Sequence, residues 1–135
     1  DSGAVVNIVS GEFAGKTGPV DSLTGVMMST VDIPAGAAVS LPAPKARNVF
    51  FYVVRGAVDI GGKAAPKFDL VDFNDDGDTI EVSAPDGAYL LYGHADPIGA
   101  PVVARGPFVM NTEAEIRDAI EDYQAGKFNR EPVNT

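Results

Sequence analysis

The sequence has no cysteine. That removes a disulfide scaffold, a thiolate zinc site and a cysteine nucleophile together. It leaves the compartment open, because a folded domain of this size does without disulfides in either redox setting. Histidine is nearly absent: His94 is the single one. One imidazole, with no cysteine and no neighbouring carboxylate pair, does not make a first-row metal site. As a general base it would need an orienting partner, and only Asp96 stands near it in sequence. A loop or surface histidine is the expectation. Basic residues are in deficit, 10 Lys and Arg against 19 Asp and Glu, a formal charge of −9. Nucleic-acid affinity comes largely from Lys and Arg neutralising phosphates, so no nucleic acid is expected as a direct partner. A basic partner, or one met through an apolar patch, fits better. No apolar run approaches the ~20 residues of a membrane span, so no membrane is expected and the expected location is the cytoplasm. The chain opens on Asp1 rather than Met, which leaves a removed leader or an upstream domain open. Repeats, low-complexity tracts, G-x-S-x-G, H-E-x-x-H and the Rossmann fingerprint are all missing. No catalytic or metal-ligating residue is assigned to this chain.

What is present is punctuation. The 135 residues suit one domain, and 15 glycines and 10 prolines, most of them before residue 108, leave no helix-length periodic stretch there. Between them stand short β-rich runs at 5–9, 26–33, 39–41, 49–54, 58–60, 68–73, 79–82 and 88–92. Some alternate apolar and polar, as Val31-Asp32-Ile33 and Ile80-Glu81-Val82 do, which suits a sheet with one wet face. The run 49–54 does not alternate, which predicts a strand buried on both faces. Many short strands at regular spacing predict a closed or double-sheet β architecture. Composition changes at 112–126. Thr112 and Glu115 form a capping box, Ile116, Ala119, Ile120 and Tyr123 share one face, and Gly126 is a left-handed stop with Phe128 as its hydrophobic partner. This predicts one amphipathic helix, followed by a polar tail from Asn129.

Three patterns imitate sites. Residues 11–17 (GEFAGKT) suggest a phosphate loop, but one spacer residue is missing and Gly18-Pro19 follows where a helix must start; a plain turn is expected. Residues 72–77 (DFNDDG) match the first half of a calcium loop, but its twelfth position is Ser83 and its flanks are strands. A hairpin turn with Gly77 at positive φ is expected there. Among the aromatics, Phe51, Tyr89 and Tyr92 are the candidates to line a pocket, tyrosine being the better because its hydroxyl wants a partner.

Residues 101–112 (PVVARGPFVMNT), running into the Glu-rich helix and ending at 122–128 (DYQAGKF), resemble the closing segment of the pirin family. Gly106, Pro107, Phe108, Met110, Asn111 and Thr112 carry the specific part of that signature, read as structural. Residues 11–19 (GEFAGKTGP) resemble the glycine loop that opens the second half of a pirin, and 41–44 (LPAP) with 48–56 (NVFFYVVRG) resemble its central strands. The resemblance runs in order over about 4–128. It implies an all-β cupin, or jelly-roll, barrel with a C-terminal helix: barrel at 1–111, helix at 112–128 on the same domain, tail at 129–135. Pirins are two-cupin proteins whose N-terminal barrel holds iron or another divalent metal through three His and one Glu. Some resemble quercetin 2,3-dioxygenases in activity and some act as transcription cofactors. The resemblance here is to the C-terminal barrel.

Placing the general cupin motifs on this sequence, with Gly56 as the strand-ending glycine, puts a Glu slot near Val49. The His slots fall near Pro42 or Ala43, Pro44 or Lys45, and Leu90. None of these side chains binds a divalent metal, so no cofactor is expected in this chain and a metal only in an N-terminal cupin beyond it. The expected partner is that cupin. The alternative is a stand-alone, non-enzymatic cupin that binds a small molecule or a protein and pairs with a second copy of itself as a C2 dimer.

Overall fold

The computed structural model describes residues 2–128, so the tail expected from Asn129 lies outside the described residues. In chain order the strands are β1 (Val5–Ser10), β2 (Glu12–Phe13), β3 (Lys16–Thr17), β4 (Met27–Ile33), β5 (Ala37–Pro42), β6 (Asn48–Ile60), β7 (Lys63–Pro66), β8 (Leu70–Asp72), β9 (Thr79–Ala84), β10 (Ala88–Ala95), β11 (Val103–Arg105) and β12 (Phe108–Met110). The helix α1 (Glu113–Gln124) closes the series. The chain divides after Pro97 into two compact units.

The first unit is a curled antiparallel jelly roll arranged around β6. Through its first half β6 pairs with β10 on one side and β8 on the other; through its second half it pairs with β7 and, at Asp59, with β9. The sheet order β1-β4-β10-β6 therefore continues as β9-β5 across one shared strand. Alternation decides what each strand buries. Met27, Val31 and Ile33 of β4, Val49, Phe51 and Val53 of β6, and Ala88, Leu90 and Tyr92 of β10 face inward. They meet Leu41, Val58, Ala65, Ile80, Val82 and Ala84 from the other side. Each large side chain removed from water here contributes roughly 1.5–3 kcal/mol. The turn of β6 from one set of partners to the other occurs at Gly56. Its φ is +76°, and a Cβ added there would stand 2.1 Å from the carbonyl oxygen of Gly87.

Several expectations need correction. The runs 49–54 and 58–60 form one strand, because Gly56 bends it instead of ending it. That strand is not buried on both faces: Phe50 and Tyr52 are half-buried and Val54 is exposed. The glycine loop at 11–17 is a hairpin, β2 on β3, turning on Ala14 (φ 50°) and Gly15 (φ 74°), the two left-handed positions of a tight hairpin turn. The loop after Asp72 is no hairpin turn. It joins β8 to β9, which do not pair with each other, and Gly77 is not left-handed. It is fixed instead by Asp75, whose Oδ1 accepts the backbone N–H of Ala46 at 3.1 Å.

The second unit is built locally. β11 and β12, which the sequence reading left in the barrel, pair only with each other among the described residues. The helix follows at once. Thr112 Oγ1 accepts from Glu115 N (3.2 Å) and Glu115 Oε2 accepts from Thr112 N (2.8 Å), completing the capping box. Ile116 and Ala119 are buried, whereas Tyr123 is 63% exposed. Phe108, Tyr123 and Phe128 stand edge to face at 6.0–6.4 Å between ring centroids, and Gly126 takes the left-handed turn. The signature residues thus have local work. Gly106 and Pro107 join the two strands, Met110 pairs with Val103, and Phe108 joins the aromatic cluster. Asn111 donates through Nδ2 to the Pro101 carbonyl at 2.7 Å.

Candidate functional site

A cupin metal site is assembled from inward side chains on facing strands, so the motif slots can be judged by what fills them. Leu90 is fully buried and Val49 nearly so; Ala43 belongs to the same core. Pro42 contributes its carbonyl oxygen, which accepts the hydroxyl of Tyr92. Among the described residues no group of three or more His, Asp and Glu stands where it could hold a metal ion. The residues present do not fit a divalent metal: Val49, Leu90 and Ala43 are hydrocarbon packed in the core, and Pro42, Pro44 and Lys45 offer no imidazole or carboxylate.

Of the three pocket candidates, two meet. Tyr92 and Phe51 are cross-strand neighbours on the inner face, and neither reaches solvent. Phe51 packs on Phe73 at 5.5 Å. Tyr89 points to the opposite face, with the Arg55 guanidinium 5.5 Å from its ring. The three therefore line no common cavity.

The polar chemistry of this unit gathers instead at the end of β10. His94 is neither a loop residue nor a surface one: it is half-buried, on the same face as Tyr92, with ring centroids 6.0 Å apart. Arg47 reaches in from the start of β6, donating to the Gly25 carbonyl at 2.7 Å and standing 3.4 Å from Asp96. So the Asp96 expected to orient His94 pairs with Arg47, and that pair is exposed on the Asp96 side, worth little by itself. Burial, then the Arg47 charge, hold the His94 imidazolium below its usual range, with Asp96 opposing. Burial pushes the Tyr92 hydroxyl up to about 12, against the pull of Arg47. His94 Nδ1, Arg47 Nε and Ser29 Oγ are buried without a hydrogen-bond partner among the described residues. The geometry ties strands together: Tyr92 reaches from β10 to the end of β5, and Arg47 spans the Gly25 loop and the chain after β10. Sequence reasoning missed Arg47, whose partners lie 22 and 49 positions away along the chain.

Residues 28–129 match the family described as the pirin C-terminal cupin domain. The chain belongs to that family. Among relatives of this pirin C-terminal cupin domain, a Vibrio cholerae protein named provisionally as a quercetin 2,3-dioxygenase is 41% identical over 116 residues, covering 83% of this chain and 40% of its own length. Human pirin is 32% identical over 138 residues, covering 98% of this chain and 48% of its own length. A crystal structure of quercetin 2,3-dioxygenase from Acinetobacter baumannii superposes with a TM-score of 0.86 at 26% identity, over 94% of this chain and 44% of that one. The domain spans less than half the length of these relatives. No helix among the described residues is long and apolar enough to cross a membrane.

Proposed function

We propose that this pirin C-terminal cupin domain is the metal-free, non-catalytic half of a two-cupin protein. It stabilises and closes a metal-bearing N-terminal cupin whose role is that of a quercetin 2,3-dioxygenase-like enzyme or a transcription cofactor. The observation that carries the reading is the filling of the ligand slots by Leu90, Val49 and Ala43, side chains that belong to the buried core. It is supported by relatives more than twice as long as this chain, in which a second domain has room. Cytoplasm is the location that suits it. Metal analysis of the purified chain tests the metal-free half of the reading: substoichiometric metal is expected, and one iron, copper or nickel per chain would overturn it. Co-expression with the remaining half of a full-length relative tests the partner. A stable complex is expected, and two halves that elute separately would defeat that part.

A second reading, a C2 dimer of this domain alone, draws on exposed apolar side chains such as Leu23 and Leu70 in the first unit. Sedimentation over a range of concentrations separates the two. The first reading expects a monomer that the N-terminal cupin converts into a heterodimer.

A further inference from the structure

Inward side chains of β4, β10 and β9 are buried in the shared core, and one flank of β6 carries a cleft. β7 and β8 both lie on the same side of β6, joined by residues 67–69, and together they form a curled edge. On its concave side is a cleft of about 320 Å³, at the lower end of the range for small-molecule sites. Its floor is Ile60, Ala65, Val71 and Phe73, all of which pack on the hydrophobic core. Its rim carries three carboxylates, Asp69, Asp72 and Asp76, against one ammonium, Lys63. None of the three carboxylates makes an ion pair among the described residues.

We infer that this cleft binds a small organic cation: a single aromatic or branched aliphatic body that sits on Val71 and Phe73, with a protonated amine at the Asp69, Asp72 and Asp76 rim. An apolar floor selects a body with little hydration to lose. A three-to-one excess of carboxylate at the mouth selects the sign of the charge, and the net charge of −9 over the whole chain acts in the same direction. An anionic or polyphenolate ligand meets repulsion at the same rim. The site is independent of the reading given above, because a scaffolding half can bind a ligand whether or not a second cupin is present.

The test uses the chain as it is, labelled with ¹⁵N, and three probes of nearly the same shape: phenethylamine, 2-phenylethanol and 3-phenylpropanoate. Saturable amide shifts confined to Ile60–Asp76 are expected with phenethylamine, weaker ones with the alcohol, and none with the carboxylate. The triple variant Asp69→Asn, Asp72→Asn, Asp76→Asn should weaken phenethylamine about tenfold and erase its preference over the alcohol. Ile60→Trp, which enlarges a floor side chain and leaves the carboxylates in place, should abolish both. Unchanged spectra elsewhere show that the variants are folded, and raised salt should weaken the amine in the unaltered chain. The inference falls if phenethylamine gives no saturable shift, if its shifts map to other residues, if the carboxylate binds as well as the amine, or if either variant binds the amine unchanged.

Discussion

The two compact units of this domain hold themselves together by opposite means. The unit up to Pro97 depends on partners far apart in the chain: β1 with β4, β5 with β9, and β10 with both β4 and β6. Its core is apolar and shared among nearly all its strands. The unit after Pro97 is a hairpin and a helix whose capping box and turn join residues a few positions apart and whose aromatic cluster reaches from Phe108 to Phe128, with much of the aromatic surface still exposed. A change in the first unit should therefore propagate through the whole jelly roll. A change in the second should stay where it is made.

The largest test of that contrast is Phe51→Ala. Phe51 has no exposed surface and packs on Phe73, so the substitution should cost about 3–5 kcal/mol of unfolding free energy. Urea denaturation should show the loss in every probe of the first unit at once. Next is Tyr92→Phe, which removes the hydroxyl bridge to the Pro42 carbonyl. About 1–3 kcal/mol is expected from leaving that acceptor short of its donor. The same variant alters the alkaline limb. The Tyr92 pKa is raised in the folded state to about 12 from 10.0. Its contribution is therefore complete below pH 10 and lost as pH climbs toward 12, and the variant should lack that loss.

Thr112→Ala is smaller and local. Removing the N-cap should cost about 1 kcal/mol and lower the helical ellipticity, while amide exchange in β6 and β10 stays unchanged. If those strands also loosen, the contrast between the units is wrong. The smallest effect is expected of His94→Gln. The imidazole is held below its ordinary 6.5 in the folded state, so the unfolded chain takes up the proton first. Its stabilising contribution is full above that value and declines as pH falls. Urea midpoints at pH 7.5 and 5.5 should differ less in the variant than in the parent.

The same contrast explains what could be read from the sequence. α1 is local, and its cap, stripe and stop stand in the primary structure: Thr112, Glu115, Ile116 and Gly126 all fall where the spacing puts them. Most strands of the first unit are legible from their apolar runs, and the cupin architecture with its family follows from the closing signature. What was missed depends on distance or on context. β7 was hidden because Gly61, Gly62 and Pro66 look like loop residues, though Ala65 between them is core. The two halves of β6 were separated because Gly56 looks like a stop, when the close approach of Gly87 makes it a bend. The polar group at the end of β10 needs Arg47, Tyr92 and Asp96, and only folding brings them together. The cleft under β7 and β8 is a void, and a void leaves no mark in a sequence.

β6 has a further consequence. A strand that pairs with β10 and β8 at one end and with β9 and β7 at the other cannot leave one set of neighbours and keep the other. The first unit accordingly has no half that could open alone. Amide protons of β4 and β9, on opposite sides of the jelly roll and never in contact through a common hydrogen bond, should exchange with solvent through one and the same global event.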